Sequence, residues 1–170
     1  YKEENEKLKI AKNQKSYQAW ILVAKKGIEC LTGDKDGENL LTEMLLFKWD
    51  TKLYNERRDI VQEKRARHNL NFSNKKQTAD FTKGKGTTIP WGEVPLLLDT
   101  KNSLVKAFGD KANNLNCEGN LYYIPGKTGI GYHGDTERKK VIGVRFGGNM
   151  NINYIININI NININININI

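Results

Sequence analysis

The sequence predicts an α+β domain in which helices come first and strands come last. In the first third of the chain, apolar residues recur every three to four positions, as they do along a helix packed on a core. After position 120 the apolar segments are short, rich in β-branched and aromatic residues, and separated by glycine turns. Apart from a terminal repeat, about 150 residues of mixed composition are enough for one hydrophobic core rather than two.

Two long helices are predicted in a helical N-terminal region, residues 1–67. The first spans residues 2 to about 30 and is closed by Gly27 and the glycine-rich turn over residues 32–37. The second runs from about Glu38 to Arg67 and places a stripe of apolar side chains on one face. The stripe consists of Leu41, Leu45, Trp49, Leu53 and Ile60.

The pattern changes in the next region, residues 68–150. Residues 68 to 92 are rich in Asn, Lys, Gly and Thr and predict loops and short strands. A third helix is predicted from Val94 to Phe108, since Pro95 is a favoured first residue and Gly109 a favoured stop. Three strands are then predicted, over residues 120–124, 129–135 and 140–146, with a turn at residues 125–127.

The last region, residues 151–170, is a low-complexity repeat of ten Ile, nine Asn and one Tyr without any charge. Strict Ile/Asn alternation from Asn157 to Ile170 has the period of a strand. One interpretation is an edge strand through which chains self-associate. The other is a repeat tract that replaces the true C-terminus and aggregates, because long uncharged ladders without Pro or Gly form cross-β structure.

Positive charge is concentrated in one part of the chain. The net charge is +8, and the stretch Lys48 to Lys85 holds 11 Lys or Arg against 5 Asp or Glu. Such a patch can neutralise phosphates, so nucleic acid is a predicted partner. The alternative is a solvated basic face, because Glu56, Asp59 and Glu63 interleave with the cations.

Cysteine content and hydropathy bear on the compartment. Two cysteines, Cys30 and Cys117, do not make a disulfide framework, so we expect an intracellular protein of the cytoplasm or nucleus. The longest charge-free apolar run in the body, Ala19 to Ala24, is far shorter than the roughly 18 residues of a membrane span. No membrane association is therefore predicted.

The motif with the most specific chemistry is Tyr132-His133-Gly134-Asp135. Residues two apart on a strand project to the same side, so His133 and Asp135 would present an imidazole and a carboxylate to one point. These are two of the three ligands of the 2-His-1-carboxylate site that binds non-haem Fe(II). The alternative is that the histidine and the aspartate are surface residues of a β-hairpin and bind no metal.

The residues around this motif resemble the core of the AlkB-like Fe(II)/2-oxoglutarate-dependent dioxygenases. The similarity covers about residues 90–148 and includes a tyrosine strand, a turn, the element Ile130-Gly-Tyr-His-Gly-Asp-Thr-Glu137, and an apolar strand that ends at Gly147. The resemblance implies a double-stranded β-helix (jelly-roll) core, here partial. It also implies hydroxylation, of an alkylated nucleobase in many members, coupled to conversion of 2-oxoglutarate to succinate and carbon dioxide.

Carried over by position, the resemblance makes His133 and Asp135 iron ligands and Tyr123 a contact of 2-oxoglutarate. Glu137 matches an acidic position after the ligands and is a candidate substrate residue. Arg65 and Arg67, from the basic stretch, are further candidates for substrate binding. The family's asparagine two residues before that tyrosine is replaced by Leu121, and Asn120 is one place off, on the opposite face of a strand.

The chain also departs from the family downstream of the motif. No histidine follows His133, and the only later arginines, Arg138 and Arg145, are close to the motif. His68 is the alternative third ligand. One imidazole and one carboxylate hold Fe(II) weakly, so we expect an incomplete enzyme that binds iron poorly and does not turn over. The rival hypothesis is a basic nucleic-acid-binding domain without catalysis, or an inactive fragment.

Overall fold

The computed structural model describes residues 22–124, 126–131 and 141–149, and the backbone of residues 164–169. Three α-helices lie in these ranges: α1 (Gly27–Thr32), α2 (Glu38–Leu45) and α3 (Pro95–Phe108). The seven strands are β1 (Lys52–Asn55), β2 (Ile60–Glu63), β3 (His68–Ser73), β4 (Thr88–Pro90), β5 (Cys117–Tyr122), β6 (Ile142–Gly147) and β7 (Ile164–Asn169). Short 3₁₀ helices lie at Lys35–Gly37, Phe81–Lys83, Trp91–Glu93 and Gly109–Ala112. The predicted α+β class is confirmed.

The strands form two sheets. The main sheet has five strands in the order β4-β3-β5-β7-β6, and β1 and β2 form a separate antiparallel hairpin. Within the main sheet β3 and β5 are antiparallel, with His68 opposite Leu121, whereas the other neighbours are parallel. Residues of β3 and β5 are therefore adjacent although about 50 positions separate them in sequence.

The helices cover one side of the main sheet and form the core with it. Leu70 and Phe72 of β3 are buried on this side, as are Leu121 of β5 and Phe146 of β6. The helices contribute further buried side chains, which are Ile28, Leu40, Met44, Leu97 and Leu104. Because side chains alternate along a strand, the other side of the sheet carries a different set of residues.

The predicted second helix is wrong beyond Leu45. Helix α2 ends there, and the β1–β2 hairpin occupies residues 52–63. The supposed apolar stripe is not buried as a unit, since Leu45 is 45% exposed and Ile60 is 47% exposed. Two local features accompany the change of chain path: the Trp49 indole donates a hydrogen bond to the Met44 carbonyl (3.1 Å), and Asp59 adopts a left-handed conformation (φ 54°) in the hairpin turn.

The predicted first helix lies mostly outside the described residues. In the described part, Leu22 to Lys26 are not helical, and Gly27 begins the short helix α1 rather than ending a long one. No helix in the described part of the chain is long and apolar enough to cross a membrane.

The third predicted helix is confirmed to within one residue. Pro95 is the first residue of α3, and Gly109 follows its end with a positive φ of 59°. A tertiary contact adds to these local signals. The buried Glu43 carboxylate accepts hydrogen bonds from the backbone N–H groups of Leu96 (2.8 Å) and Leu97 (3.0 Å), which have no partner within the helix.

The later strands are confirmed in part. Residues 68–92 contain the predicted short strands β3 and β4, and β5 and β6 overlap the predicted segments 120–124 and 140–146. Of the predicted strand 129–135, residues 129–131 have no regular structure and the rest lie outside the described residues.

The terminal repeat contributes a strand, as its alternation predicts, but at an interior position. Strand β7 pairs in parallel with β5 on one side and β6 on the other. In this register Ile166 lies opposite Gly119 and Val144. An edge position for this strand is therefore wrong, because β4 and β6 are the edges of the sheet.

Candidate functional site

The side of the main sheet opposite the core carries a cluster of polar residues, here called the polar face. It comprises Lys64, Arg67, Asn69, Glu118, Asn120, Tyr122 and Arg145. Asn120 and Tyr122 lie two residues apart on β5 and are only 5% and 3% exposed. Buried polar side chains of this kind need hydrogen-bond partners, so their contacts define the site.

A hydrogen-bond network fixes the centre of the polar face. The Asn69 side-chain amide donates to the Asn120 amide oxygen (2.6 Å) and to the Glu118 carboxylate (3.1 Å). The Arg67 guanidinium also donates to the Asn120 oxygen. The orientation of Asn120 is thus set by donors from the β2–β3 loop and from β3.

The polar face is electropositive. Burial raises the pKa of Tyr122 above its usual 10.0, and the charges of Arg67 and Arg145 oppose that rise. Burial likewise lowers the pKa of Lys64, with the Asp50 and Glu118 carboxylates opposing. Tyr122 therefore keeps its proton at neutral pH, and its hydroxyl is available as a hydrogen-bond donor.

Tyr123, the predicted 2-oxoglutarate contact, lies on the other side of the sheet. Its ring packs against the hydrophobic core and stacks on His68, with centroids 4.1 Å apart and an angle of 14° between the planes. Burial lowers the pKa of His68, the Lys64 ammonium lowers it further, and the Glu63 carboxylate opposes both. Asn120 and Tyr123 thus lie on opposite faces, as their spacing predicts.

The segment that leads into the histidine motif is anchored beside this stacked pair. The Gly129 N–H donates to the Ala66 carbonyl (2.9 Å), and the buried Thr128 hydroxyl bonds to the backbone of Ile124. Ala66 lies between Arg65 and Arg67, so the turn after β5 meets the β2–β3 loop. The histidine motif, which begins at Tyr132, follows this anchored segment directly in the sequence.

The predicted site residues are therefore only partly brought together. Arg65 and Arg67 lie in the β2–β3 loop rather than on a helix, and Arg67 reaches the polar face whereas Arg65 is exposed. The predicted iron ligands His133 and Asp135, together with Glu137, lie outside the described residues. Among the described residues no group of three His, Cys, Asp or Glu side chains is placed to hold a metal ion.

The polar pair Asn120 and Tyr122 was missed by the sequence analysis. The signal that could have found it is the spacing itself, since an asparagine two residues before a tyrosine places both on one side of a strand. The adjacent Tyr123 also has a nearby asparagine in the sequence, so the pattern alone does not show which tyrosine shares a face with Asn120. The burial and contacts of the two tyrosines show that it is Tyr122. Asn69 and Arg67 join them through long-range strand pairing that no local pattern reveals.

A cavity of about 420 Å³ lies elsewhere, between α1, α2 and α3. Asp34 and Asp99 line it, and none of its lining residues belongs to the main sheet. Its carboxylates would repel an anion, so this cavity does not suit a dicarboxylate.

Comparison with known proteins finds a viral relative. A protein of Acanthamoeba polyphaga mimivirus, described as uncharacterized, is 36% identical over 149 residues, which is 88% of this chain. The chain spans 55% of that relative's length. No family model and no solved structure matches the sequence.

Proposed function

We propose that this chain carries the cosubstrate-binding part of an AlkB-like Fe(II)/2-oxoglutarate-dependent dioxygenase. The observation that carries the proposal is that Asn120 and Tyr122, with the two-residue spacing of the family's asparagine and tyrosine, share a buried face with Arg67 and Arg145. In this proposal Tyr122 takes the role that the sequence alone gives to Tyr123.

The donor set fits a carboxylate. Guanidinium groups bind carboxylates in a bidentate manner, and a protonated tyrosine adds a third donor. Three cations, Lys64, Arg67 and Arg145, outnumber the two carboxylates Asp50 and Glu118, so the face has a surplus of positive charge that favours an anionic 2-oxo acid. Arg145 is close to the motif in sequence. In the main sheet β7 separates its strand from β5, and Arg145 and Asn120 both lie opposite Asn167 of β7.

The proposed mechanism assigns binding roles to the chain's own residues. Arg67, Asn120 and Tyr122 hold and orient the carboxylate of 2-oxoglutarate, and their burial excludes water from it. Iron, when bound by His133 and Asp135, supplies the oxidative chemistry that couples hydroxylation to decarboxylation. The proposal assigns no third protein ligand to the iron.

The finer fold proposed is a partial jelly roll. Neighbouring strands of a jelly roll are antiparallel, as β3 and β5 are. Strand β7 is parallel to both of its neighbours and is built from the Ile/Asn repeat. We therefore propose that the repeat occupies the position of an enzyme strand in the main sheet.

Titration of 2-oxoglutarate into the full chain, with Fe(II) and without oxygen, tests the proposal. Replacement Arg67→Met is expected to weaken binding about tenfold or more, because a hydrogen bond to a charged group contributes roughly 1.5 to 3 kcal/mol. The matched control is Arg57→Met, an arginine at the exposed hairpin turn, which should leave the affinity unchanged. Equal affinities for the two variants, or no saturable binding by the wild type, would contradict the proposal.

A second candidate function, nucleic-acid binding, is favoured by the β1–β2 hairpin. Arg57 and Arg58 are exposed at its turn, and neither forms an ion pair in the described part of the chain. Two of the three nearby acids have other partners, since Glu63 pairs with Lys52 (3.7 Å) and Asp59 accepts a hydrogen bond from Tyr54. Glu56, next to Arg57, is exposed. We propose that the two arginines contact phosphates.

Salt-dependent binding of an oligonucleotide tests this second function. The double replacement of Arg57 and Arg58 by serine should reduce the slope of log affinity against log salt by about two, one for each phosphate contact. Lys76→Ser is the control, because Lys76 already pairs with Glu93 at 2.7 Å. If the double variant had the same slope of log affinity against log salt as the wild type, the hairpin arginines would not contact the nucleic acid.

A further inference from the structure

The stacked pair of His68 and Tyr123 stands at the surface rather than wholly within the core. Both rings are partly exposed, and they lie nearly parallel with centroids 4.1 Å apart. The other aromatic stack among the described residues, Phe72 on Trp91 at 6.3 Å, includes the buried Phe72, which belongs to the core. The His68–Tyr123 pair therefore presents aromatic surface that packing of the fold leaves in part uncovered.

Apolar and cationic groups surround this pair. Ile124, next to Tyr123, is 42% exposed, and Ile130 in the anchored turn is 44% exposed. Arg65 and Lys127 are exposed, and each lies within two residues of the hydrogen bond that joins Gly129 to Ala66. Aromatic surface, aliphatic side chains and cations thus converge where the β2–β3 loop meets the turn after β5.

We infer that His68 and Tyr123 form a platform on which an unpaired nucleobase stacks. A single-stranded nucleic acid offers what this surface would recognise, namely a flat π-system joined to phosphates. In a duplex the base faces are covered by neighbouring base pairs, so the occupant is an unpaired or extruded base. Arg65 and Lys127 contact the flanking phosphates. The inference rests on the second proposed function, nucleic-acid binding, and adds the base contact that the hairpin arginines lack.

The experiment uses the full chain without iron or 2-oxoglutarate and compares two fluorescent ligands of equal length. One is a short oligothymidylate and the other is its abasic counterpart, which keeps the phosphates and lacks the bases. Tyr123→Leu keeps an apolar side chain but removes the ring and its hydroxyl, which donates to the carbonyl oxygens of Lys64 and Arg65 (3.5 Å each). We expect it to weaken thymidylate binding about five- to 100-fold and to leave abasic binding unchanged. Tyr123→Phe, which loses only the hydroxyl, should bind both ligands as the wild type does. Arg57→Ser should weaken the binding of both ligands, because both carry phosphates. A loss for both ligands therefore indicates a lost hairpin contact, whereas a loss for thymidylate alone indicates a lost platform.

The result that would overturn the inference is a Tyr123→Leu variant, folded by circular dichroism, that binds both ligands as the wild type does. Equal wild-type affinity for the two ligands would also overturn it. Photo-crosslinking of a 5-iodouracil oligonucleotide to the wild type gives an independent readout. We expect the crosslinked peptide to contain Tyr123 or His68, and crosslinks only at other residues would refute the platform.

Discussion

A shift of one position at the end of β5 decides which tyrosine lies on the polar face. Tyr122 and Tyr123 are neighbours, so they point to opposite sides of the sheet. Sequence alone cannot choose between them, because the end of an interior strand presents an acceptable environment for an aromatic ring on both sides. The contacts make the choice: Tyr122 lies with Asn120 on the polar face, and Tyr123 stacks on His68 against the core.

His68 gives a pH-dependent prediction at the residue scale. The unfolded chain takes up a proton at this histidine as the pH falls through about 6.5, whereas the folded chain does so only at lower pH because the pKa is lowered. The unfolded state then binds more protons, so stability present at neutral pH is lost as the pH falls below that value. Replacement His68→Phe keeps the stacking and removes this loss.

Urea denaturation of both proteins at pH 7.5 and at about pH 5.5 measures the effect. We expect the wild type to lose more stability between the two values than His68→Phe. His133 is present in both proteins, so its titration cancels in the comparison. If the two proteins had the same pH dependence, the pKa of His68 would not be lowered by its burial in the folded chain.

At the scale of elements, helix α3 was predictable because its start and stop are local. Pro95 and Gly109 mark its ends in the sequence, and Glu43 reinforces the start from another helix. The second predicted helix failed because its apolar stripe continued past Leu45 by coincidence. The chain turns there at the Trp49 indole hydrogen bond and at Asp59, and the burial of Trp49 against Gly119 of β5 is a long-range contact that the apolar stripe does not reveal.

Strand β5 also carries a packing prediction. A Cβ atom added at Gly119 would lie 2.8 Å from the Trp49 ring and 3.1 Å from Phe72, both of which are buried. Gly119→Ala is therefore expected to lower the free energy of unfolding by about 1 to 3 kcal/mol through overpacking. The measurement is chemical denaturation.

The same substitution in β6 serves as the control. A Cβ atom at Gly143 meets none of the described atoms within 4 Å, so Gly143→Ala should change stability by less than about 0.5 kcal/mol. If the two alanine variants were equally stable, the close packing of Trp49 on β5 would be refuted.

At the scale of the whole molecule, the α+β class was predictable, the order of helices and strands was predicted only in part, and the pairing of strands was not predicted. Local patterns located β5 and β6, but nothing in them indicates that β3 pairs with β5 or that the repeat lies between β5 and β6. Long-range pairing also builds the polar face, because Arg67, Asn69 and Asn120 meet only when β3 joins β5. The H-x-D motif, Arg67 and Asn120 were visible in the sequence, whereas the grouping of Arg67 and Asn120 with Tyr122 on one face was not.

We propose that the His133 motif and the polar face bind iron and 2-oxoglutarate in one site. The most direct test is the dissociation constant of 2-oxoglutarate for the full chain, measured without oxygen in the presence and absence of Fe(II), for the wild type and for His133→Ala. Ligands of one site affect each other reciprocally, so we predict that Fe(II) tightens wild-type binding about five- to 150-fold and has no effect in the variant. A wild-type dissociation constant that is the same with and without Fe(II) would contradict the account.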